Sequence, residues 1–230
     1  MRSKAVVLLS GGLDSGVTLA IAKEEDNDIY ALTFEYGQKH KREVESARKL
    51  ADFYRASKHL ILHIPLGEVA ESALMEEGFV PETGLNEEMQ TSIPPTYVPG
   101  RNIILLGYAL SWAETLGARY IYIGAHTQDY SGYPDCRPEF LRAFQNVARL
   151  GTRTGVEGRE IELRYPLIGM TKAQIVARGS ELRVPFELTW SCYAGGKKAC
   201  GRCDSCRFRL IGFKEAGLED PLEYEAHEDL

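Results

Sequence analysis

The chain has no long hydrophobic run and no excess of positive charge. Its 230 residues carry 27 lysines and arginines against 33 aspartates and glutamates, which gives a net charge of −6. This balance argues against tight binding to nucleic acid, because a polyanion is held by clustered basic side chains. The apolar stretch that follows the first four residues is too short for a secretory h-region or a membrane span. A cytoplasmic protein with no nucleic-acid or membrane partner is therefore predicted.

The chain also lacks the lysine that ends the common phosphate-binding loop, Gly-Lys-Ser/Thr. A different glycine-rich sequence, Ser-Gly-Gly-Leu-Asp-Ser, lies between an apolar run at 5–9 and a helix-like segment at 16–22. Glycine lets the backbone approach an anion, and the following helix N-terminus offers unpaired N–H groups and a positive dipole end. A plain turn is the alternative. The predicted nucleotide-binding residues are Ser10, Gly11, Gly12, Leu13, Asp14 and Ser15.

Apolar runs alternate with amphipathic segments along most of the chain. Strands are predicted over 4–9, 28–34, 58–64, 119–124 and 160–165, and helices over 15–24, 41–54, 102–116, 139–150 and 171–182. This alternation predicts a doubly wound, mostly parallel α/β sheet of the Rossmann-like type, with ligands at the carboxyl ends of its strands. The length fits one such domain at 1–185 and a small C-terminal region at 186–230. The less regular segment 65–99 is a candidate lid.

Four of the five cysteines are clustered near the C-terminus. They are Cys192, Cys200, Cys203 and Cys206. Disulfides are not expected in a reducing compartment, whereas four thiolates at this spacing fit a closed, tetrahedral Zn²⁺ site with a structural role. An iron–sulfur cluster, which also uses four thiolates, is the alternative.

The glycine loop and the cysteines, together with three further segments, resemble one enzyme family. The segments are Phe34–Gln38, Val98–Asn102 and Gly132–Arg137. The loop resembles that of the N-type ATP pyrophosphatases, the PP-loop superfamily. Taken jointly, and in this order, the motifs resemble the 7-cyano-7-deazaguanine synthase family of queuosine biosynthesis. The resemblance covers nearly the whole chain.

The resemblance implies an ATP-dependent ligase and a homodimer. Such an enzyme converts 7-carboxy-7-deazaguanine and ammonia to the nitrile through an adenylated carboxylate and an adenylated amide, with release of AMP and pyrophosphate. Its cofactors would be ATP, Mg²⁺ and structural Zn²⁺. A tRNA-thiolating enzyme of the same superfamily is one alternative, which the acidic charge disfavours. A nucleotide-binding module without turnover is another.

The resemblance also suggests four catalytic residues, Asp14, Ser15, Arg101 and Lys172. Arg101 would neutralise phosphate charge, and Lys172 would contact pyrophosphate. An exposed turn arginine and a helix-surface lysine are the respective alternatives. Asp14 would either hold Mg²⁺ or cap the helix that follows the loop.

The segment Gly132–Arg137 is the predicted substrate pocket, with Tyr133, Asp135 and Arg137 as its residues. A guanine-like ring presents an N1–H and an exocyclic amine side by side, and a carboxylate can accept both. Asp135 is predicted to do so, with Tyr133 as a stacking face. Cys136 is interpreted as a buried thiol rather than a nucleophile, because adenylation and amination need no covalent enzyme intermediate.

Overall fold

The structure is a computed structural model that describes residues 2–36, 41–72, 93, 96–126 and 133–225. Most of the candidate lid at 65–99 lies outside the described residues, as do Gly37, Gln38 and Gly132 of the family-like segments. The remaining predicted site residues are all described.

The described strands form a single parallel sheet of five. They are β1 (Lys4–Leu8), β2 (Asp28–Glu35), β3 (Lys58–His63), β4 (Tyr120–Tyr122) and β5 (Glu162–Arg164). Their order is β3-β2-β1-β4-β5, with every pairing parallel. In the central strand, Val6 lies opposite Tyr30 on β2 and Ile121 on β4. The prediction of a doubly wound parallel sheet is confirmed.

Each predicted helix is present, with ends that differ by a few residues at most. The described helices are α1 (Leu13–Glu24), α2 (Lys41–Phe53), α3 (Arg101–Leu116), α4 (Pro138–Gly151), α5 (Arg153–Val156), α6 (Lys172–Glu181) and α7 (Asp204–Glu215). The sequence did not predict α5 or α7. Among the residues placed by the structure, no helix has both the length and the apolar content needed to cross a bilayer.

Helices cover both faces of the sheet. On one face, α1 and α2 contribute Leu19 and Leu50 to a buried apolar layer. On the other face, α3 and α4 contribute Leu106 and Leu141 to a second, larger layer. The central strand β1 is apolar along its length because its side chains point alternately into these two layers.

A buried ion pair organises the C-terminal region. The guanidinium of Arg209, only 2 % exposed, donates to the two carboxylate oxygens of Asp220 at 2.7 and 2.9 Å. It also donates to Thr189 Oγ1 at 2.7 Å and to the Phe186 carbonyl at 3.1 Å. The Tyr224 hydroxyl donates to Asp220 at 2.6 Å. This network fastens α7 to the segment that follows α6, although the predicted domain boundary at 185 stays a prediction.

Replacing Arg209 with leucine is expected to lower the free energy of unfolding by about 3–5 kcal/mol, because Asp220 would remain charged and buried without its partner. Urea unfolding followed by circular dichroism measures the change. Arg142→Leu is the matched control, since Arg142 pairs with Glu139 on the surface and should contribute less than about 1 kcal/mol. Equal losses for the two variants would show that the buried network is not a principal source of stability.

Candidate active site

The glycine loop lies where the strand order changes direction. β1 has β2 on one side and β4 on the other, so the connections leaving β1 and β4 diverge. Residues 9–12 follow β1, and residues 123–126 follow β4. In open α/β sheets, this position forms a ligand crevice at the carboxyl ends of the strands. α1 begins at Leu13 with Gly12 as its N-cap residue, so the loop presents backbone amides at a helix N-terminus.

Internal hydrogen bonds fix the shape of the loop. Ser15 Oγ accepts from the Gly11 amide at 3.2 Å and donates to the Gly12 carbonyl at 3.0 Å. Ser10 Oγ accepts from the Gly12 amide at 3.2 Å and lies 3.1 Å from Ser15 Oγ. Gly11 has a φ of +93°, and a Cβ added there would lie 2.1 Å from the Glu43 carbonyl oxygen. Only glycine therefore fits at this position, which joins the loop closely to α2.

Gly11→Ala is expected to weaken ATP binding at least about tenfold, because backbone strain of about 1–3 kcal/mol and the collision with Glu43 would displace the loop. Gly12→Ala is the control. Its φ is −76°, and the nearest atom to an added Cβ is 3.4 Å away. Calorimetric titration with ATP and thermal unfolding compare the variants. If Gly11→Ala binds ATP as tightly as the wild type, the loop is not held as the structure indicates.

Asp14, Lys172 and His126 meet at the start of α1. Lys172 Nζ lies 2.8 and 3.0 Å from the Asp14 carboxylate oxygens, and His126 Nε2 lies 3.2 Å from Asp14 Oδ2 and from Lys172 Nζ. Burial would raise the pKa of Asp14, but Lys172 and His126 together outweigh it and hold this pKa well below its usual range. The capping alternative for Asp14 is wrong, because no side-chain cap is formed and Gly12 occupies that position.

Lys172 is not a helix-surface lysine. Its side chain is only 12 % exposed, and its stem packs on Gly212 of α7, where an added Cβ would lie 2.4 Å from Lys172 Cγ. The pair of helices therefore aims the ammonium group at the phosphate loop. His126 was not among the predicted site residues, although its position directly after β4 was an available signal.

A cavity of about 340 Å³ opens beside this cluster. The phosphate loop forms one side, and the ends of the strands supply an apolar wall that includes Leu32, Phe34 and Ile123. The C-terminal region forms another side with residues 190–193. This volume and its mixture of apolar, aromatic and charged walls suit small-molecule ligands.

Arg101 faces this cavity from the first position of α3, so it is not an exposed turn arginine. Its Nη1 lies 3.4 Å from the Tyr36 hydroxyl. The guanidinium carbon lies 6.0 Å from the centre of the Tyr36 ring and 5.9 Å from that of Tyr133. The Tyr133 hydroxyl is 2.7 Å from Thr96 Oγ1. The arrangement places a fixed positive charge between two aromatic rings of the cavity wall.

The structure does not favour substrate contacts for Asp135 and Arg137. Asp135 is 4 % exposed, and its Oδ2 accepts the Asn102 amide at 2.9 Å, which satisfies a free N–H in the first turn of α3. Neither Asp135 nor Arg137 lines the cavity, and Arg137 is exposed at the start of α4. Their binding roles stay predictions. Burial raises the pKa of Cys136 to about 11, so it remains a thiol and a poor nucleophile.

The four clustered cysteines converge on one point. Their sulfur atoms all lie within 4.8 Å of one another, and those of Cys200 and Cys206 are 4.0 Å apart. Four thiolates around a single tetrahedral ion at about 2.3 Å lie about 3.8 Å apart, so the cluster can hold a metal. Cys192 Sγ also accepts hydrogen bonds from the Ala194 and Cys200 amides at 3.3 and 3.2 Å. These bonds would offset thiolate charge.

These features together define a nucleotide-binding α/β protein of the PP-loop class. They are the parallel sheet, the glycine loop where the strand order changes direction, and the lysine–aspartate pair beside that loop. A family model described as queuosine biosynthesis protein QueC matches residues 4–217. The chain belongs to this family, which confirms the resemblance drawn from its motifs.

Named relatives agree with this assignment. The chain is 51 % identical over 227 residues to the 7-cyano-7-deazaguanine synthase of Citrifermentans bemidjiense, covering 98 % of this chain and 99 % of the relative. It is 49 % identical to the synthase of that name from Thermoplasma acidophilum, covering 98 % and 94 % respectively. The solved structure of NMN synthetase from Francisella tularensis is a distant likeness, with a TM-score of 0.48 and 14 % identity over 95 % of this chain and 79 % of that one.

Proposed function

We propose that the chain is an ATP-dependent carbon–nitrogen ligase that converts 7-carboxy-7-deazaguanine and ammonia to 7-cyano-7-deazaguanine. The main support is that a single cavity borders both the phosphate loop and an aromatic wall with a charged arginine. Relatives of nearly the same length, about half identical to this chain, bear the name of this synthase. The activity belongs to the biosynthesis of queuosine.

The phosphates of ATP would bind the amides of residues 13–15 in the first turn of α1, where the helix dipole favours negative charge. Lys172 and Arg101 would supply positive charge from two sides. Asp14 would exchange its bond to Lys172 for a Mg²⁺ ion, which neutralises phosphate charge when ATP is bound. The hydroxyls of Ser10 and Ser15 would add donors for phosphate oxygens by exchanging their hydrogen bonds within the loop.

The reaction begins when a substrate carboxylate oxygen attacks the α-phosphorus of ATP. The bond to the β-phosphate breaks, pyrophosphate leaves, and an acyl adenylate remains. Ammonia then adds to the carbonyl carbon. The bond between this carbon and the AMP oxygen breaks, AMP leaves, and the nitrogen loses a proton to give the amide. In a second round, the amide oxygen attacks another ATP. Loss of AMP and the remaining nitrogen-bound protons yields the nitrile, while Arg101 and Lys172 stabilise the developing charge.

We propose that the cysteine cluster holds structural Zn²⁺. Four thiolates complete a tetrahedral shell and leave no position for a substrate. The mutual separation of the sulfur atoms, at most 4.8 Å, supports a single ion, because a cluster of several irons and sulfides would hold the thiolates further apart. We further place the enzyme in the cytoplasm as a homodimer that uses ammonia and binds no nucleic acid, in agreement with its acidic charge.

Incubation of the protein with ATP, ammonia and 7-carboxy-7-deazaguanine tests the proposed function. The expected products are the nitrile, AMP and pyrophosphate, separated by liquid chromatography with mass detection. Omission of ammonia should stop the reaction before the amide. Release of ADP would refute cleavage between the α- and β-phosphates. ATP binding without turnover would instead favour a nucleotide-binding module.

A further inference from the structure

We propose that Glu43 is the residue that recognises the guanine-like edge of the substrate, accepting hydrogen bonds from its N1–H and its exocyclic amine. This inference rests on the proposed function, since it assigns a specificity-determining residue for that substrate. It replaces Asp135, which the fold uses elsewhere.

The cavity offers few carboxylates for this task. Among the described residues that line it, Asp14 and Glu43 are the acidic ones. The Asp14 carboxylate already bonds Lys172 and His126 beside the phosphate loop. Within the described part of the chain, the Glu43 carboxylate forms no hydrogen bond or ion pair. Its acceptor oxygens are therefore available to a ligand.

The position of Glu43 is fixed relative to the phosphate loop. Glu43 lies in the first turn of α2, and its carbonyl packs so closely on Gly11 that no side chain fits between them. Because the Glu43 side chain and the phosphate loop line the same cavity, this helix-borne carboxylate can hold a ring while the ring's carboxyl group reaches the α-phosphate of ATP. Precise holding of this kind is the main requirement for adenyl transfer.

The surroundings of Glu43 suit a flat, hydrogen-bonding ring. Tyr36, Tyr133, Trp190 and Tyr193 also line the cavity and offer aromatic faces. Glu43 is only partly exposed within this cavity, so its carboxylate loses part of its hydration without gaining a hydrogen bond from the described residues. Two adjacent N–H donors of a bound guanine-like ring would supply such hydrogen bonds, as paired donors do for carboxylates generally.

The test compares Glu43→Gln with the wild type on two substrates, 7-carboxy-7-deazaguanine and the same ring without its exocyclic amine. The wild type is expected to prefer the amine-bearing ring by roughly 10- to 100-fold in kcat/KM, as a bidentate contact provides. Glutamine has the same shape but turns one acceptor into a donor. The variant should lose most of this preference, through a higher KM for the amine-bearing ring and an unchanged KM for ATP.

Glu45→Gln is the matched control, because Glu45 is exposed on the same helix and should keep the wild-type preference. Asp135→Asn tests the original assignment. A preference kept in Glu43→Gln, or lost only in Asp135→Asn, would overturn the proposal, as would a rise in the KM for ATP alone. Failure of the wild type to form the nitrile would defeat the proposed function itself, and the recognition role with it.

Discussion

Replacing Cys203 with serine is expected to release the metal and to lower synthase activity at least about 100-fold. Structural zinc binding contributes about 10–16 kcal/mol in small zinc-finger peptides, which is comparable to the whole stability of a domain. Cys192 belongs to the cluster, and the segment 190–193 around it forms one wall of the cavity. Loss of the ion should therefore open one wall of the active site. Metal analysis by mass spectrometry, thermal unfolding and the nitrile assay measure the three consequences.

Cys136→Ser is the control for metal content, because Cys136 is buried outside the cluster and should leave the bound zinc unchanged. Chelation of the wild type should reproduce the thermal shift of the Cys203 variant. If Cys203→Ser kept one zinc ion and full activity, the cluster would not be the metal site. Recovery of iron and sulfide in place of zinc would contradict the assignment of the ion.

Lys172→Met is expected to lower kcat by roughly 10²–10³-fold, which is the usual effect of removing one group that stabilises charge in the transition state. Methionine keeps the length and apolar stem that pack on Gly212, so the fold should be preserved. The positive charge that we propose the ammonium group offers to departing pyrophosphate would be lost. Asp14 would also lose its ion pair, so ATP binding should weaken because an unpaired carboxylate would face the phosphates. Single-turnover release of pyrophosphate measures the chemical step directly.

Two variants separate this role from a general effect of charge. Lys198→Met removes an exposed lysine that pairs with Glu223 and does not line the cavity, so it should leave the rate unchanged. Lys172→Arg restores positive charge with a different geometry, so partial activity is expected. A Lys172→Met enzyme with wild-type single-turnover rates would falsify the proposed role.

The alternation of apolar runs and amphipathic segments was sufficient to predict every described strand and five of the seven described helices, all but the single turn α5 and the longer α7. Helix α7 was missed for a physical reason. Its buried positions are Cys206, Arg209, Gly212 and Phe213, and a buried arginine and a glycine do not produce an apolar periodicity. Arg209 is buried because Asp220, eleven positions further along, satisfies it, and sequence patterning cannot reveal such a partner.

The candidate site was predictable where its residues lie in one local motif. The phosphate loop and the four cysteines are of this kind, and their geometry follows from short-range spacing. Glu43 was missed because it belongs to the polar side of an amphipathic helix, where an acidic residue normally faces water. Only the close packing of α2 on Gly11 turns that side toward a cavity. The Asp135 carboxylate accepts the Asn102 amide at the start of α3, a local role that its sequence context does not reveal, and its predicted contact with substrate stays a prediction.

The amide of Trp190 donates to the carbonyl of Gly11 at 2.9 Å, and this one bond joins the phosphate loop to the chain segment that leads to Cys192. A contact of this kind couples two binding equilibria. If zinc steadies the segment and thereby the loop, ATP must in turn tighten zinc binding by the same factor, because linkage between ligands is reciprocal. Nucleotide supply would then help the protein to keep its metal under zinc limitation.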